Sequence, residues 1–413
     1  MLKYNRFVLG NGLRVIHLED KNTPMVVVNT LYDVGARDES PDRTGMAHLF
    51  EHLMFGGSAN VPSFDDPIQQ AGGEDNAWTT NDYTNYYEVL PSQNAEIAFW
   101  LESDRMLALE FSQRSLDVQK QVVCEEFKQR NLNQPYGDVS HLMRSLVFKQ
   151  HPYSWPTIGL ELSHIESVDL EFEKQFFYSH YAPNNAILSV VGNISLAETK
   201  RLVEKWYADI PRREVVKRDI PREPEQTEPR FMEVERNVPA DAIYKAFRSP
   251  RRMDEDYYVS DLMSDILANG RSSRLFQRMV CERKLFLSVD ACILGDIEEG
   301  LFYVNGKLAD GVSFEEADKA LNDELQALCN ELLDEHELEK VKNKYESNRL
   351  FGDISLLNKA NSLCYYELLG DVELVNTELS YYQKVTAEDV RSLARKLFRP
   401  ENCSTIYYRA KRK

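Results

Sequence analysis

A charged, proline-rich segment divides the chain into two parts of similar length. Residues 209–230 contain four prolines and many charges of both signs, with few apolar residues that could enter a core. This composition is typical of a linker between domains. A chain of 413 residues is also too long for one ordinary hydrophobic core. We therefore predict a first domain at residues 1–208, a linker at residues 209–230 and a second domain at residues 231–413.

Both parts mix strand patterns with helix patterns. Near the start, residues 6–9 and 13–18 alternate on either side of Asn11-Gly12, which is the pattern of a β-hairpin. In the second part, apolar residues recur at helical spacing from Phe314 to Leu332 and predict a long amphipathic helix. The sequence thus predicts an α+β fold of two homologous domains, each a mixed or antiparallel sheet flanked by helices.

Charge and composition exclude several classes of function. The formal net charge is −18 at pH 7, which argues against nucleic-acid binding. No stretch has the length of a membrane span, and the N-terminus lacks the apolar core of a signal peptide. The six cysteines include no C-x-x-C pair and are interpreted as reduced thiols. We expect a cytoplasmic protein that binds neither nucleic acid nor membranes.

The segment His48-Leu49-Phe50-Glu51-His52 carries the clearest chemistry. At a helical advance of roughly 100° per residue, His48, Glu51 and His52 lie within one arc, and apolar residues fill the opposite arc. Two histidines at this spacing can bind one zinc ion, while the carboxylate between them acts as a general base. The alternative is an ordinary helix with two histidines by chance. The intervening Glu and the apolar flanks favour the metal site, because H-x-x-E-H is the inverted form of a zinc motif.

A zinc ion held by two histidines needs at least one further protein ligand. Glu126 lies on the helical face that also carries Val122 and Val123. Its neighbour Glu125 points about 100° away, toward a more polar face. A carboxylate on a semi-apolar face needs a partner to offset its lost hydration, and a metal would supply one. On this evidence alone, the alternative that both glutamates are ordinary surface residues stays open.

These segments together resemble the inverzincin metallopeptidases of family M16, which include pitrilysin, insulin-degrading enzyme and the mitochondrial processing peptidase. The resemblance covers essentially the whole chain. It rests on HLFEH at 48–52, GEDNAWTTNDYTNY at 73–86, VVCEE at 122–126 and GRSSRLF at 270–276. It implies the short form of the family, in which two related α+β domains pair with a second such chain to enclose a clam-shell chamber.

The resemblance also implies roles for the residues of the metal site. His48, His52 and Glu126 would bind one Zn²⁺ per chain, and Glu51 would be the catalytic base. Many members have an assisting Glu seven positions before the distal ligand. Here that position is Gln119, which can form hydrogen bonds but carries no charge.

Residues 73–86 are the implied substrate platform. Gly72-Gly73 permits a close approach of the backbone, and the residues after it can form an edge strand that pairs with an extended peptide. Asn76 matches a family residue that contacts substrate near the zinc, although an Asn can also simply hold a local turn. The substrate-binding residues expected from the resemblance are Asn76, Ala77 and Thr79.

One departure from the family pattern concerns the second domain. Active members usually carry an Arg and a Tyr seven residues apart, which reach the substrate carbonyl. Alignment through Ser288-Val289 puts these positions at Val280 and Leu287, whose side chains cannot donate a hydrogen bond. In some two-subunit members, one chain carries the metal motif and the other carries the Arg/Tyr pair.

We therefore predict a zinc-dependent endopeptidase that hydrolyses peptides or unfolded polypeptides. The chain would be the metal-bearing subunit of a heterodimer, and its homologous M16 partner would carry the Arg/Tyr pair. A homodimer is the alternative assembly. Two other functions stay open, namely a catalytically silent M16-like subunit of a larger complex and a structural zinc site.

Overall fold

Strands and helices alternate along the part of the chain that the computed structural model describes, residues 1–217, 219–294 and 297–412. The strands are β1 (Asn5–Val8), β2 (Arg14–Glu19), β3 (Met25–Tyr32), β4 (Glu74–Thr79), β5 (Thr84–Pro91), β6 (Ala186–Gly192), β7 (Arg230–Arg236), β8 (Ala242–Arg248), β9 (Phe286–Leu294), β10 (Leu301–Leu308) and β11 (Cys403–Ala410). The α-helices are α1 (Met46–Leu53), α2 (Asp65–Gln70), α3 (Ala95–Leu107), α4 (Gln113–Phe127), α5 (Val139–Val147), α6 (Leu162–Glu166), α7 (Leu170–His180), α8 (Leu196–Tyr207), α9 (Glu255–Ala268), α10 (Phe314–Asn330), α11 (Glu335–Gly352), α12 (Leu356–Leu368), α13 (Leu374–Lys384) and α14 (Ala387–Leu397). The segments Lys128–Leu132 and Phe276–Glu282 are π-helical.

The described residues form two compact units, and neither unit is one continuous stretch of chain. The first unit takes residues from 1–130, 155–221 and 350–376, and the second takes residues from 131–154, 222–349 and 377–413. The sequence instead predicts two uninterrupted domains. The chain passes from the first unit to the second three times, and one of these crossings, at residues 221–222, lies inside the segment predicted to be a linker.

The first unit is built on a mixed sheet with the strand order β1-β2-β6-β3-β5-β4. Only β2 and β6 are parallel neighbours; the other pairs are antiparallel. Strand β6 and almost all of β3 are buried, which explains why most of their residues are apolar. Strand β4 pairs with β5 and lies at the edge of the sheet.

The second sheet repeats the first. Its order, β7-β11-β8-β10-β9, matches β2-β6-β3-β5-β4, and its parallel pair β7-β11 corresponds to β2-β6. Strand β1 is the only strand of the first sheet without a counterpart in the described second sheet. The predicted α+β class and the two related halves are confirmed.

Each unit includes a helix from the other half of the sequence. Helix α5 buries an apolar face against β7, β8 and β11 of the second unit. Helix α12 packs against β3 and β6 of the first unit, where Ser189 donates a hydrogen bond of 2.9 Å to the carbonyl of Ala360. Both helices are therefore needed to cover sheet faces that would otherwise expose apolar surface to water.

The predicted linker packs against the units more closely than its composition suggests. Arg213 donates hydrogen bonds to the backbone carbonyls of Tyr181 and Leu107 in the first unit. The buried carboxylate of Glu223 accepts hydrogen bonds from the backbone N–H groups of residues 149–151 in the second unit.

None of the described helices combines the length and the apolar character that a membrane-spanning helix needs.

Candidate metal centre and active site

A buried carboxylate holds the start of α1, the helix of the H-x-x-E-H segment. Glu39 accepts hydrogen bonds of 2.8 Å from the backbone N–H groups of Gly45 and Ala47. A helix leaves such N–H groups unpaired at its first turn, so Glu39 replaces the lost backbone partners. Burial raises the pKa of Glu39 to about 8, while these donors act in the opposite direction. Gly45 has φ +86°, and a Cβ there would lie 2.8 Å from the carbonyl oxygen of Ile158, so the turn requires glycine.

The apolar face of α1 is fixed in the core of the first unit. Leu49 and Phe50 are fully buried, and the ring of Phe50 stacks on Tyr181 at 5.4 Å between centroids. The hydroxyl of Tyr86 donates a hydrogen bond of 3.4 Å to the carbonyl of Phe50. This packing sets the rotation of α1 about its axis, which decides where the polar face points.

His48, His52 and Glu126 come together on the polar face of α1 and the adjacent face of α4. Oε2 of Glu126 lies 3.6 Å from Nε2 of His48 and 3.3 Å from Nε2 of His52. A tetrahedral zinc ion with bonds of about 2.0–2.2 Å needs ligand atoms about 3.3–3.6 Å apart. Two imidazoles and one carboxylate are also a ligand set of hydrolytic zinc sites. The three residues therefore fit a zinc ion.

The protonation states of this cluster suit a metal. Burial lowers the pKa of His48 to about 4, so its imidazole is neutral at pH 7. The hydrogen bond with His52 lowers the pKa of Glu126, and the charges around it add to this effect. Metal ligands must be deprotonated, and these two side chains are already in that form.

Glu51 lies beside the cluster, with its carboxylate held by β4. The hydroxyl of Thr79 donates a hydrogen bond of 2.5 Å to Oε2 of Glu51. Burial raises the pKa of Glu51, and the Thr79 hydrogen bond opposes that increase. A half-buried carboxylate whose pKa lies above its usual range is suited to accept a proton and then return it.

Strand β4 places the three residues predicted to bind substrate on two faces. Side chains alternate along a strand, so Ala77 and Thr79 share the face toward Glu51. Asn76 lies on the opposite face with Trp78, and its Oδ1 accepts the backbone N–H of Ala77 at 2.8 Å. The structure thus brings Thr79 to Glu51 and leaves the exposed Asn76 side chain on the other face of the edge strand.

Gln119 lies two helical turns before Glu126 on α4. Seven residues correspond to about 700° of rotation, so the two side chains share one face of the helix. Gln119 is half-buried, and its side chain lies close to Gly56. A Cβ added at Gly56 would be 3.8 Å from Nε2 of Gln119.

The second unit has no hydrogen-bond donor at the two positions aligned with the Arg/Tyr pair. Val280 lies in the π-helical segment, and Leu287 is an exposed residue of the edge strand β9. Two nearby arginines are already paired. Arg274 forms an ion pair of 2.8 Å with Glu337, and Arg278 forms one of 2.5 Å with Glu324.

Sequence reasoning missed two residues that support the site. Glu39 lies seven residues before the start of α1, too far for any helix-capping pattern to indicate it. Arg130 has its Nη1 2.7 Å from Oε1 of Glu126. The i, i+4 spacing of Glu126 and Arg130 was a usable signal, because such pairs meet on one helical face.

Two family models match the chain in succession. The model described as "Insulinase (Peptidase family M16)" matches residues 14–159, which include the H-x-x-E-H segment and Glu126. The model described as "Peptidase M16 inactive domain" matches residues 167–345, which include Val280 and Leu287.

Known proteins match over nearly the whole chain. "Zinc protease PqqE" of Helicobacter pylori is 26% identical over 417 residues, covering 98% of this chain and 92% of that protein. The crystal structure of a protease from Helicobacter pylori has a TM-score of 0.93 at 25% identity and covers 99% of this chain and 100% of that one. The periplasmic protease PqqL from Escherichia coli has a TM-score of 0.78 at 19% identity, covering 99% of this chain but 48% of that one.

Proposed function

Because the chain belongs to the M16 metallopeptidase family in its short two-domain form, we propose that it is a zinc-dependent endopeptidase acting on peptides or unfolded polypeptides. The observation that carries this proposal is the group of His48, His52 and Glu126, with Glu51 beside it. A purely structural metal site needs the ligands but has no use for a fourth, separately held carboxylate.

The proposed reaction assigns a task to each side chain of the site. Zinc, when held by His48, His52 and Glu126, supplies the Lewis acidity that polarises a peptide carbonyl and activates water. Glu51 takes the proton of the attacking water and delivers it to the leaving amine. Thr79 keeps the Glu51 carboxylate in one orientation by its hydrogen bond to Oε2.

The edge strand β4 suggests how the substrate is held. Its outer side has no neighbouring strand in the described sheet, and an extended peptide can add there as a further strand. Only a chain without its own secondary structure can pair in this way. This geometry favours short peptides and unfolded polypeptides over folded proteins as substrates.

A second M16 chain is part of the proposal because this chain lacks donors at two expected positions. Val280 and Leu287 cannot bind a carbonyl oxygen, and Arg274 and Arg278 are engaged by glutamates. This chain covers 48% of the longer PqqL chain, which is therefore about twice as long as this one. We propose that a homologous subunit with the Arg/Tyr pair supplies the donors, in preference to a second copy of this chain.

Peptide cleavage with and without that subunit tests the proposed function. We expect slow cleavage of an unstructured peptide by the zinc-loaded chain alone. Addition of the homologous subunit should raise kcat by about 10²–10³-fold, the effect typical of a donor to the developing oxyanion. A partner variant with both the Arg and the Tyr replaced should bind without this gain.

Two outcomes would contradict parts of the proposal. A chain that cleaves alone at a rate that no homologous subunit changes would exclude the heterodimer. Bound zinc without cleavage in any combination would instead favour a silent subunit, which the missing donors at Val280 and Leu287 also suggest.

A further inference from the structure

The π-helical segment after α4 carries a guanidinium next to the metal cluster. Nη1 of Arg130 lies 2.7 Å from Oε1 of Glu126. The other carboxylate oxygen, Oε2, faces the two histidines at 3.3 and 3.6 Å. One carboxylate oxygen of Glu126 therefore faces Arg130, and the other faces the two histidines.

The backbone of this segment affects where Arg130 lies. In an α-helix, the fourth residue after Glu126 is displaced from it by about 40° around the axis. The chain stays helical through the π-helical turn at Lys128–Leu132, so residue 130 stays on the helical face of Glu126, as expected for an i, i+4 pair. π-helical turns are rare and occur frequently at functional sites. The winding therefore supports the contact between Arg130 and Glu126.

We propose that Arg130 is a positioning residue that orients the Glu126 carboxylate, so that Oε2 is available to a metal. This inference rests on the proposed function, because it requires zinc at the cluster. The Glu126 side chain is 19% exposed, so core packing alone does not fix its carboxylate. Mutation of a side chain that contacts a metal ligand and orients it commonly lowers metal affinity by about 10–100-fold.

The charge of Arg130 has an opposite effect, because a guanidinium repels a zinc ion. The Arg130 side chain is 67% exposed, so water and salt screen that repulsion. The ion pair with Oε1 joins atoms only 2.7 Å apart, so salt screens it less than the longer-range repulsion. We therefore infer that orientation dominates and that Arg130 increases the affinity for zinc.

The same region provides a matched comparison. Lys128 and Glu125, in the same stretch of helix, form an ion pair with the same 2.7 Å separation. Their side chains are 41% and 65% exposed, and Glu125 is not among the clustered ligands. An exposed pair of this kind contributes little to stability. If Arg130 were only another surface pair, its removal would have as little effect as removal of Lys128.

Zinc affinity of the full chain tests the inference. The dissociation constant would be measured by competition with a chromogenic chelator for the wild type, Arg130→Met, Arg130→Lys and Lys128→Met. We expect Arg130→Met to bind zinc about 10–100-fold more weakly and Arg130→Lys to recover part of the loss. Lys128→Met should stay within twofold of the wild type. The absorption spectrum of bound Co²⁺ should change in Arg130→Met and not in Lys128→Met.

The possible results separate this inference from the proposed function. Wild-type protein that binds no zinc would contradict both. Zinc binding by the wild type together with unchanged or tighter binding by Arg130→Met would contradict only the role of Arg130. Equal losses in Arg130→Met and Lys128→Met would show a general effect of surface charge and would also exclude positioning.

Discussion

Glu51→Gln should lower the rate of peptide cleavage by about 10²–10⁴-fold, the range typical of a lost general base, while the protein keeps its zinc. Glutamine has nearly the shape of glutamate, and its carbonyl oxygen can still accept the hydrogen bond from Thr79. What it lacks is the ability to take a proton from water at neutral pH. The measurements are kcat on an unstructured peptide with the homologous subunit present, and zinc content by elemental analysis.

A second Glu→Gln substitution provides the control for this prediction. Glu125 lies next to Glu126 in sequence, but its side chain is exposed and pairs with Lys128. Glu125→Gln should therefore cleave at the wild-type rate. Cleavage by Glu51→Gln within a few-fold of the wild type would remove Glu51 from the role of base. Loss of zinc from Glu51→Gln would show that this carboxylate supports the metal instead.

Removal of the metal should stop cleavage completely, and one equivalent of zinc should restore it. The physical reason is that the clustered side chains alone have no group that can polarise a carbonyl as a metal does. We expect a strong chelator to reduce cleavage by the wild type to background, with recovery on addition of zinc. In His52→Ala, zinc at the same concentration should fail to restore activity, because only His48 and Glu126 remain as ligands.

The control for a lost histidine is His336→Ala. His336 is an exposed residue of α11 in the second unit, outside the cluster. This variant should lose activity with the chelator and regain it with zinc, as the wild type does. Chelator-resistant cleavage by the wild type, or full recovery of His52→Ala, would contradict hydrolysis at this site.

Helical periodicity was enough to indicate the polar face of α1. Residues 46, 49, 50 and 53 are buried as the apolar arc requires, and the two histidines share the other side with Glu51. The facing argument on α4 likewise favoured Glu126, which lies near the histidines, over the exposed Glu125, although it left open that both are surface residues. These inferences succeeded because they depend on the geometry of a single helix.

Sequence patterns did not predict how α5 and α12 are distributed between the units. Each helix has an apolar face, but an apolar face does not specify which of two similar sheets it will cover. The strands of the two sheets share one order, so the sheets offer similar surfaces. The choice is made by tertiary packing, which local periodicity does not contain.

Two further differences have local causes. The amphipathic pattern from Phe314 predicts a helix as far as Leu332, but α10 ends at Asn330 and Leu332 is exposed. One apolar residue at the right spacing cannot by itself extend a helix. The π-helical turn at Lys128–Leu132 is the second difference, because a pattern based on 3.6 residues per turn does not anticipate it.

A crystal structure of the zinc-loaded Glu51→Gln variant with a bound unstructured peptide would test the central claim most directly. Anomalous scattering at the zinc edge should show one peak within bonding distance of Nε2 of His48, Nε2 of His52 and Oε2 of Glu126. Density for the peptide should run antiparallel or parallel to β4 as an added strand, with one peptide carbonyl directed at the zinc peak. A zinc peak elsewhere, or a peptide bound away from β4 with zinc in place, would contradict this account.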